Sequence, residues 1–145
     1  MTVLNAYLTF EGNCENAFNF YRSVFGGEFT HVGRFSDMPE DPNYPVGEEY
    51  RNQIMHISLP ISKECVLMGS DTAGHGGPLT IGTNISLSIN TDTKEKADTF
   101  FNQLSEKGKV SMPMENTFWG DYFGMLTDRF GINWMISFAE EAPKE

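Results

Sequence analysis

Three histidines, two cysteines and a scatter of carboxylates are the residues of this chain that could do chemistry, and their spacing decides which kind. His56 stands in residues 52–60, where alternation puts Ile54, His56 and Ser58 on one face of a strand and Met55, Ile57 and Leu59 on the other. A neutral imidazole on such a strand has two readings of equal weight. It is either a hydrogen-bonded core residue or a cavity-facing proton acceptor and donor that titrates near neutral pH. Ile54 and Ser58 beside it suit the wall of a partly polar pocket. His31, on another strand, and His75, in a glycine-rich stretch, read as surface or supporting residues, because no helical or hairpin spacing brings them to His56. Cys14 and Cys65 lack CxxC spacing, so neither a zinc knuckle nor a disulfide framework is indicated, and reduced thiols are expected. Glu115 and Asp121 flank Trp119 and could face a pocket, yet charges beside strand ends are usually just solvated.

The aromatic residues divide by position. Phe18, Phe20, Tyr21 and Phe25 recur at helical spacing and should pack on a sheet, as should Phe100 and Phe101 further on. Trp119, Tyr122, Phe123 and Trp134 cluster around turns and strand ends, where amphipathic rings line a pocket or pack in a dimer interface.

The elements that must position these groups are stated twice, about eighty residues apart. Asn5 to Phe10 reads as a short alternating strand followed by an aromatic helix near residues 15–21, and Gly26-Gly27 stops it. A second strand spans 28–35. Residues 36–51 carry Pro39, Pro42 and Pro45 among acids and form a long solvated loop, of a length that suits a functional lid. Strands at 52–60 and 65–69 complete the first module, about 1–70. A glycine-rich linker, about 71–82, leads to a second module, about 83–138: a strand at 83–91, a helix begun by an Asp92 cap with Glu95 and ended by Gly108, and strands at 109–117, 122–127 and 132–138. The order is β-α-β-β-β in both halves, an α+β arrangement.

Bulk properties narrow the function. A chain of 145 residues is one ordinary domain in size, long enough to bury roughly 70% of its unfolded surface. A formal net charge of −10 with no basic cluster excludes nucleic acid as a partner. No basic-then-apolar start and no bilayer-length run is present, so a cytoplasmic protein with no membrane partner is expected.

Tyr7-Leu8-Thr9-Phe10 with the stretch from Glu15 to Gly27 resembles the opening of PhnB-like proteins in the glyoxalase/bleomycin-resistance, or vicinal oxygen chelate, superfamily. The ending, Trp119-Gly120-Asp121-Tyr122-Phe123-Gly124 and then Asp128-Arg129-Phe130-Gly131-Ile132-Asn133-Trp134, is similar to the closing motif of the same branch. The resemblance covers almost the whole chain as a single glyoxalase-like domain. It implies two βαβββ modules with curled mixed sheets around a cavity, and a homodimer. The superfamily holds lyases, isomerases, dioxygenases and ligand-sequestering proteins; some members have carried methyltransferase labels, for which no glycine-rich turn after a strand gives support here.

In metal-dependent members four ligands, mostly His and Glu, sit at equivalent places, which the resemblance carries onto Asn5, His56, Asn84 and Met135. Only His56 is a good ligand for a divalent ion, since amides are weak neutral donors and a thioether prefers soft ions. No metal and no other cofactor is therefore expected. The expectation is an apolar, aromatic-lined cavity for a small organic molecule. Its wall holds Met68, Trp119, Tyr122 and Phe123, with His56 as the candidate proton-exchange residue and the 36–51 loop as a cover. The alternative is a metal-dependent lyase or dioxygenase with a non-standard ligand set centred on His56.

Overall fold

Short alternating strands, each too narrow to hide its apolar side alone, bury one face under an amphipathic helix, and this chain does so twice. The computed structural model describes residues 1–139. Its first unit is Met1–Thr80 and its second begins at Ile81.

The first unit runs β1 (Ala6–Phe10), α1 (Cys14–Phe25), β2 (His31–Arg34), β3 (Ile54–Pro60) and β4 (Val66–Asp71). Its sheet has the order β1-β4-β3-β2, with β1 parallel to β4 and the other neighbours antiparallel. Cys14, Ala17, Phe18, Tyr21 and Val24 form the buried stripe of α1. That stripe meets Leu8, Phe10, Ile57, Leu59 and Leu67, all at most 8% exposed. Close approach requires Gly69: a Cβ there would stand 2.7 Å from both Phe18 Cε1 and the Leu8 carbonyl oxygen.

The second unit repeats the plan with β5 (Leu87–Thr91), α2 (Lys94–Ser105), β6 (Lys109–Asn116), β7 (Asp121–Thr127) and β8 (Asn133–Ala139). The sheet order is β5-β8-β7-β6, with β5 parallel to β8. Ala97, Phe101 and Leu104 of α2 cover Leu126, Trp134 and Ile136. Ala17 and Ala97, matched across the repeat, are both fully buried. The α+β class and the doubled β-α-β-β-β order are as the sequence implies.

Boundaries move where local chemistry outweighs pattern. The helix cap is Thr93 and not Asp92: the Thr93 hydroxyl accepts from the Lys96 N–H at 3.1 Å, and Asp92 pairs loosely with Lys96. α2 ends at Ser105, before Gly108, which serves a different need. A Cβ on Gly108 would fall 2.3 Å from the Thr127 carbonyl oxygen. β5 starts at Leu87, so residues 83–86 lie outside the strand, and β4 continues to Asp71, two residues past its expected end. A register shift between Gly33 and Arg34 makes Met55 the unpaired residue of β3. The strict alternation breaks there, and Ile54 is fully buried while His56 is half-buried.

Candidate functional site

On the first sheet, residues that do not face α1 build a polar row. Register places Tyr7 beside Met68, Met68 beside Ser58, and Ser58 beside His31, so β1, β4, β3 and β2 each contribute one side chain. His56 stands one step along β3, opposite Gly33. Its ring is held at both nitrogens: Nδ1 lies 3.3 Å from the Tyr7 hydroxyl and Nε2 lies 2.9 Å from Ser58 Oγ. Hydroxyls donate or accept, so this chain of bonds is complete in either neutral tautomer and in the doubly protonated ring. A group so placed can take up or release a proton without losing its orientation.

Two members of this cluster, Tyr7 and His31, were not legible as site residues from spacing alone. The His31 and His56 rings have centroids 5.4 Å apart, and Tyr7 and His56 5.7 Å. Gly33 makes room, since a Cβ there would come within 2.9 Å of His31 Cε1. The available signal was the pairing of β2 with β3, which sets His31 two residues from the position opposite His56. His75 lies in the turn that follows β4, its N–H donating to the Thr72 carbonyl.

Behind the row, Asp71 fixes the framework. It is 4% exposed; Oδ1 accepts from the Gly12 and Cys14 N–H groups at 2.7 and 3.1 Å, and Oδ2 from the Ile54 N–H at 2.9 Å. One carboxylate thereby ties the start of α1 to the start of β3, the strand that carries His56. Beside it, burial together with the Asp71 and Glu15 charges pushes the Cys14 thiol far above its ordinary range.

In the second unit the expected aromatic wall divides. Trp119, in the turn between β6 and β7, is 52% exposed and edge-to-face with Phe118 and Phe123, at 5.0 and 5.8 Å between centroids. Its indole N–H donates to Asp121 Oδ2 at 3.1 Å. Tyr122 alternates to the helix side, where its hydroxyl donates to Asp98 of α2 at 2.6 Å and the Lys94 ammonium lies 4.5 Å from the ring centroid. That hydrogen bond, with burial and the Asp98 charge, pushes the phenol up to about 12. Trp134 is a core residue at 1% exposure, its indole N–H donating to Asp128 Oδ2 at 2.8 Å. Asp128 is also buried and accepts through Oδ1 from Phe130 and Ile132 N–H groups. The closing motif is thus a built turn.

Asn5, His56, Asn84 and Met135, the positions the resemblance marks for metal ligands, are divided between the two units. Asn5 precedes β1 and Asn84 precedes β5, both exposed, and Met135 pairs with Ser88 and Met125. His56 is the one strong donor, and both its nitrogens are engaged. Among the described residues no three His, Cys, Asp or Glu side chains are grouped as a metal would need.

The 36–51 loop is pinned at its base by Ser36 N–H to the Arg51 carbonyl and Phe35 N–H to that of Gln53. It is less featureless than its prolines suggest, with 3-10 turns at Phe35–Asp37 and Glu48–Tyr50. It encloses a hollow of about 420 Å³ lined by its own residues, among them Met38, Pro39, Tyr44, Pro45 and Val46. None of His56, Met68, Trp119, Tyr122 and Phe123 lines that hollow.

A sequence profile of the family described as 3-demethylubiquinone-9 3-methyltransferase matches residues 3–137. The chain belongs to this PhnB-like family. It is 30% identical to Protein YjdN of Escherichia coli K12, over 98% of this chain and 99% of that one. Among solved structures it is similar to PA1353 of Pseudomonas aeruginosa, with 37% identity, TM-score 0.84, and 97% and 100% of the two chains covered. It is also similar to a Bacillus cereus PhnB protein titled a putative 3-demethylubiquinone-9 3-methyltransferase, with 28% identity, TM-score 0.73, and 95% and 100% covered. A glyoxalase-related enzyme from Fulvimarina pelagi, 19% identical with TM-score 0.62 over 98% of this chain and 92% of that one, shares the fold. The PhnB-like chain therefore has the glyoxalase/bleomycin-resistance fold. No helix among its described residues is long and apolar enough to cross a membrane.

Proposed function

We propose that this PhnB-like chain binds a small organic molecule on the face of the first sheet turned away from α1, with His56 as the residue that exchanges a proton and without a tightly held divalent metal. The observation that carries the reading is the Tyr7–His56–Ser58 chain of hydrogen bonds, which holds a titratable ring in place on a half-buried polar surface beside Met68. Such a surface can orient a ligand through hydroxyl and imidazole contacts while the thioether covers its apolar part. The family description names a methyl transfer, but the links from β1 to α1 (Glu11-Gly12-Asn13) and from β5 to α2 (Asp92-Thr93) carry no glycine-rich cofactor turn. Trp119 and Phe123 of the second unit offer an aromatic contact for a ligand or a partner chain, and we read the protein as a homodimer working in the cytoplasm, where Cys14 and Cys65 stay unpaired.

A thermal-shift screen of oxygenated small molecules, followed by native mass spectrometry, tests this. A ligand at about one hundred times its dissociation constant stabilises the folded chain by roughly 2.7 kcal/mol. The expected result is a hit that is lost in His56→Ala while the free variant melts as the parent does. Hits indifferent to His56, or none at all, would overturn the reading.

One observation favours a second reading, a metal-dependent lyase or dioxygenase with an unusual ligand set: His31 sets a second imidazole beside His56. Elemental analysis of the purified chain, before and after incubation with zinc, nickel, manganese and iron, distinguishes it. Stoichiometric metal that disappears in His56→Ala would establish that reading and displace the first.

A further inference from the structure

The ligand face of the first sheet carries two imidazoles and no fixed charge. The groups around His56 are Tyr7 and Thr9 from β1, Ser58 from β3, Met68 and Ser70 from β4, and His31 and Gly33 from β2, of which only Tyr7 and His31 can titrate. Tyr7 and Ser58 present hydroxyls to both nitrogens of His56, so an imidazolium there would keep two hydrogen-bond acceptors. His31 lies with its ring centroid 5.4 Å from that of His56 and is itself exposed. A bound anion would favour the charged form of a neighbouring imidazole, because opposite charge nearby does so.

Resting on the reading that this face is the ligand site, we propose that His31 is a second ligand-binding residue beside His56. The pair would receive the oxyanion end of a small molecule, a carboxylate or a tetrahedral oxyanion, with uptake of about one proton. Donors toward an anion remain in the exposed His31 ring and in the Tyr7 and Ser58 hydroxyls that relay the His56 charge, and no carboxylate of β1 to β4 points into the row: the acid in these strands, Asp71, is buried on backbone N–H groups. In a chain of net charge −10, a protonated imidazole is the local positive charge this face can supply. Gly33 belongs to the device, since any side chain there would displace the His31 ring from a distance of 2.9 Å. By linkage, an anion that binds the protonated pair binds more tightly as pH falls through the imidazole range, and its binding consumes a proton.

The test is calorimetric titration of the full chain with sodium benzoate and, separately, sodium sulfate, neither of which titrates between pH 6 and pH 8. Each is run in two buffers of different ionisation heat. The expected result is binding of at least one probe, about tenfold tighter at pH 6 than at pH 8, with uptake approaching one proton near pH 7. His31→Gln should lower affinity at pH 6 about tenfold and cut the uptake. Gly33→Ala should do the same with His31 still present, both with unchanged urea midpoints. Benzoate alone marks a carboxylate ligand, sulfate alone a tetrahedral oxyanion. Binding that needs His56 but ignores His31 and pH would overturn this proposal and leave the small-molecule reading intact. No binding of either anion, alongside a neutral hit in the thermal screen, would do likewise. No ligand of any kind would sink both. Proton release with uptake of zinc at His31 and His56 would replace the anion with a metal.

Discussion

The Tyr7 hydroxyl reaches His56 Nδ1 at 3.3 Å from two strands away, over β4 and its Met68. A strand edge thus supplies the second partner of a ring whose first partner, Ser58, is its neighbour on the same face of β3. Tyr7 is 48% exposed, so its contribution should be to orientation more than to stability. Tyr7→Phe is expected to change unfolding free energy by less than about 0.5 kcal/mol, as for most surface substitutions. It should weaken the ligand found by the thermal screen about tenfold, the worth of one hydrogen bond of about 1.4 kcal/mol. Urea denaturation and ligand titration of the same variant separate the two effects.

Asp71 gives the opposite pattern. Both of its oxygens are used, by three backbone N–H groups that no other side chain is shown to satisfy. Asp71→Asn keeps one acceptor oxygen and turns an amide NH2 toward a backbone donor. It should cost roughly 2 to 3 kcal/mol, read as a lower urea midpoint with an unchanged slope. Asp128→Asn should cost a similar amount and expose Trp134, red-shifting its emission, because the indole N–H loses its acceptor.

The two thiols should behave unalike. Cys14 is fully buried, and burial with the Asp71 and Glu15 charges holds its proton tightly, whereas Cys65 is exposed. Only a thiolate reacts with a disulfide reagent. Ellman titration at pH 8 should therefore count one thiol in the native chain and two in urea, and Cys65→Ser should leave the native chain silent.

Much of this was legible. The repeat of a strand and an aromatic helix, with Ala17 matching Ala97, gave the doubled β-α-β-β-β order, because that pattern records which faces are buried. What escaped was non-local. Asp71 fell at the edge of the expected linker and Asp128 between two expected strands, and nothing near them in sequence reveals that backbone N–H groups from residues 12, 14 and 54, or the indole of Trp134, converge on them. Tyr7 and His31 read as strand residues because their value lies in cross-strand register, which a bulge at Met55 had already shifted by one. Tyr122 was grouped with Trp119 and Phe123 by closeness in sequence, yet neighbours along a strand point to opposite faces.

That last residue has its own pH signature. The hydroxyl of Tyr122 donates to Asp98, and this bond, with burial and the Asp98 charge, raises its titration from about 10 to about 12 in the folded chain. A raised value means that the unfolded phenol loses its proton first. The stabilisation is therefore complete below pH 10 and is lost as pH rises toward 12. Absorbance of tyrosinate near 295 nm should show Tyr122 among the late-titrating tyrosines of the native chain. Tyr122→Phe should reduce the late amplitude by one tyrosine and flatten the fall of stability between pH 10 and pH 12. A late amplitude unchanged in the variant would assign the whole of it to other tyrosines, the buried Tyr21 first, and count against the Asp98 bond as its cause.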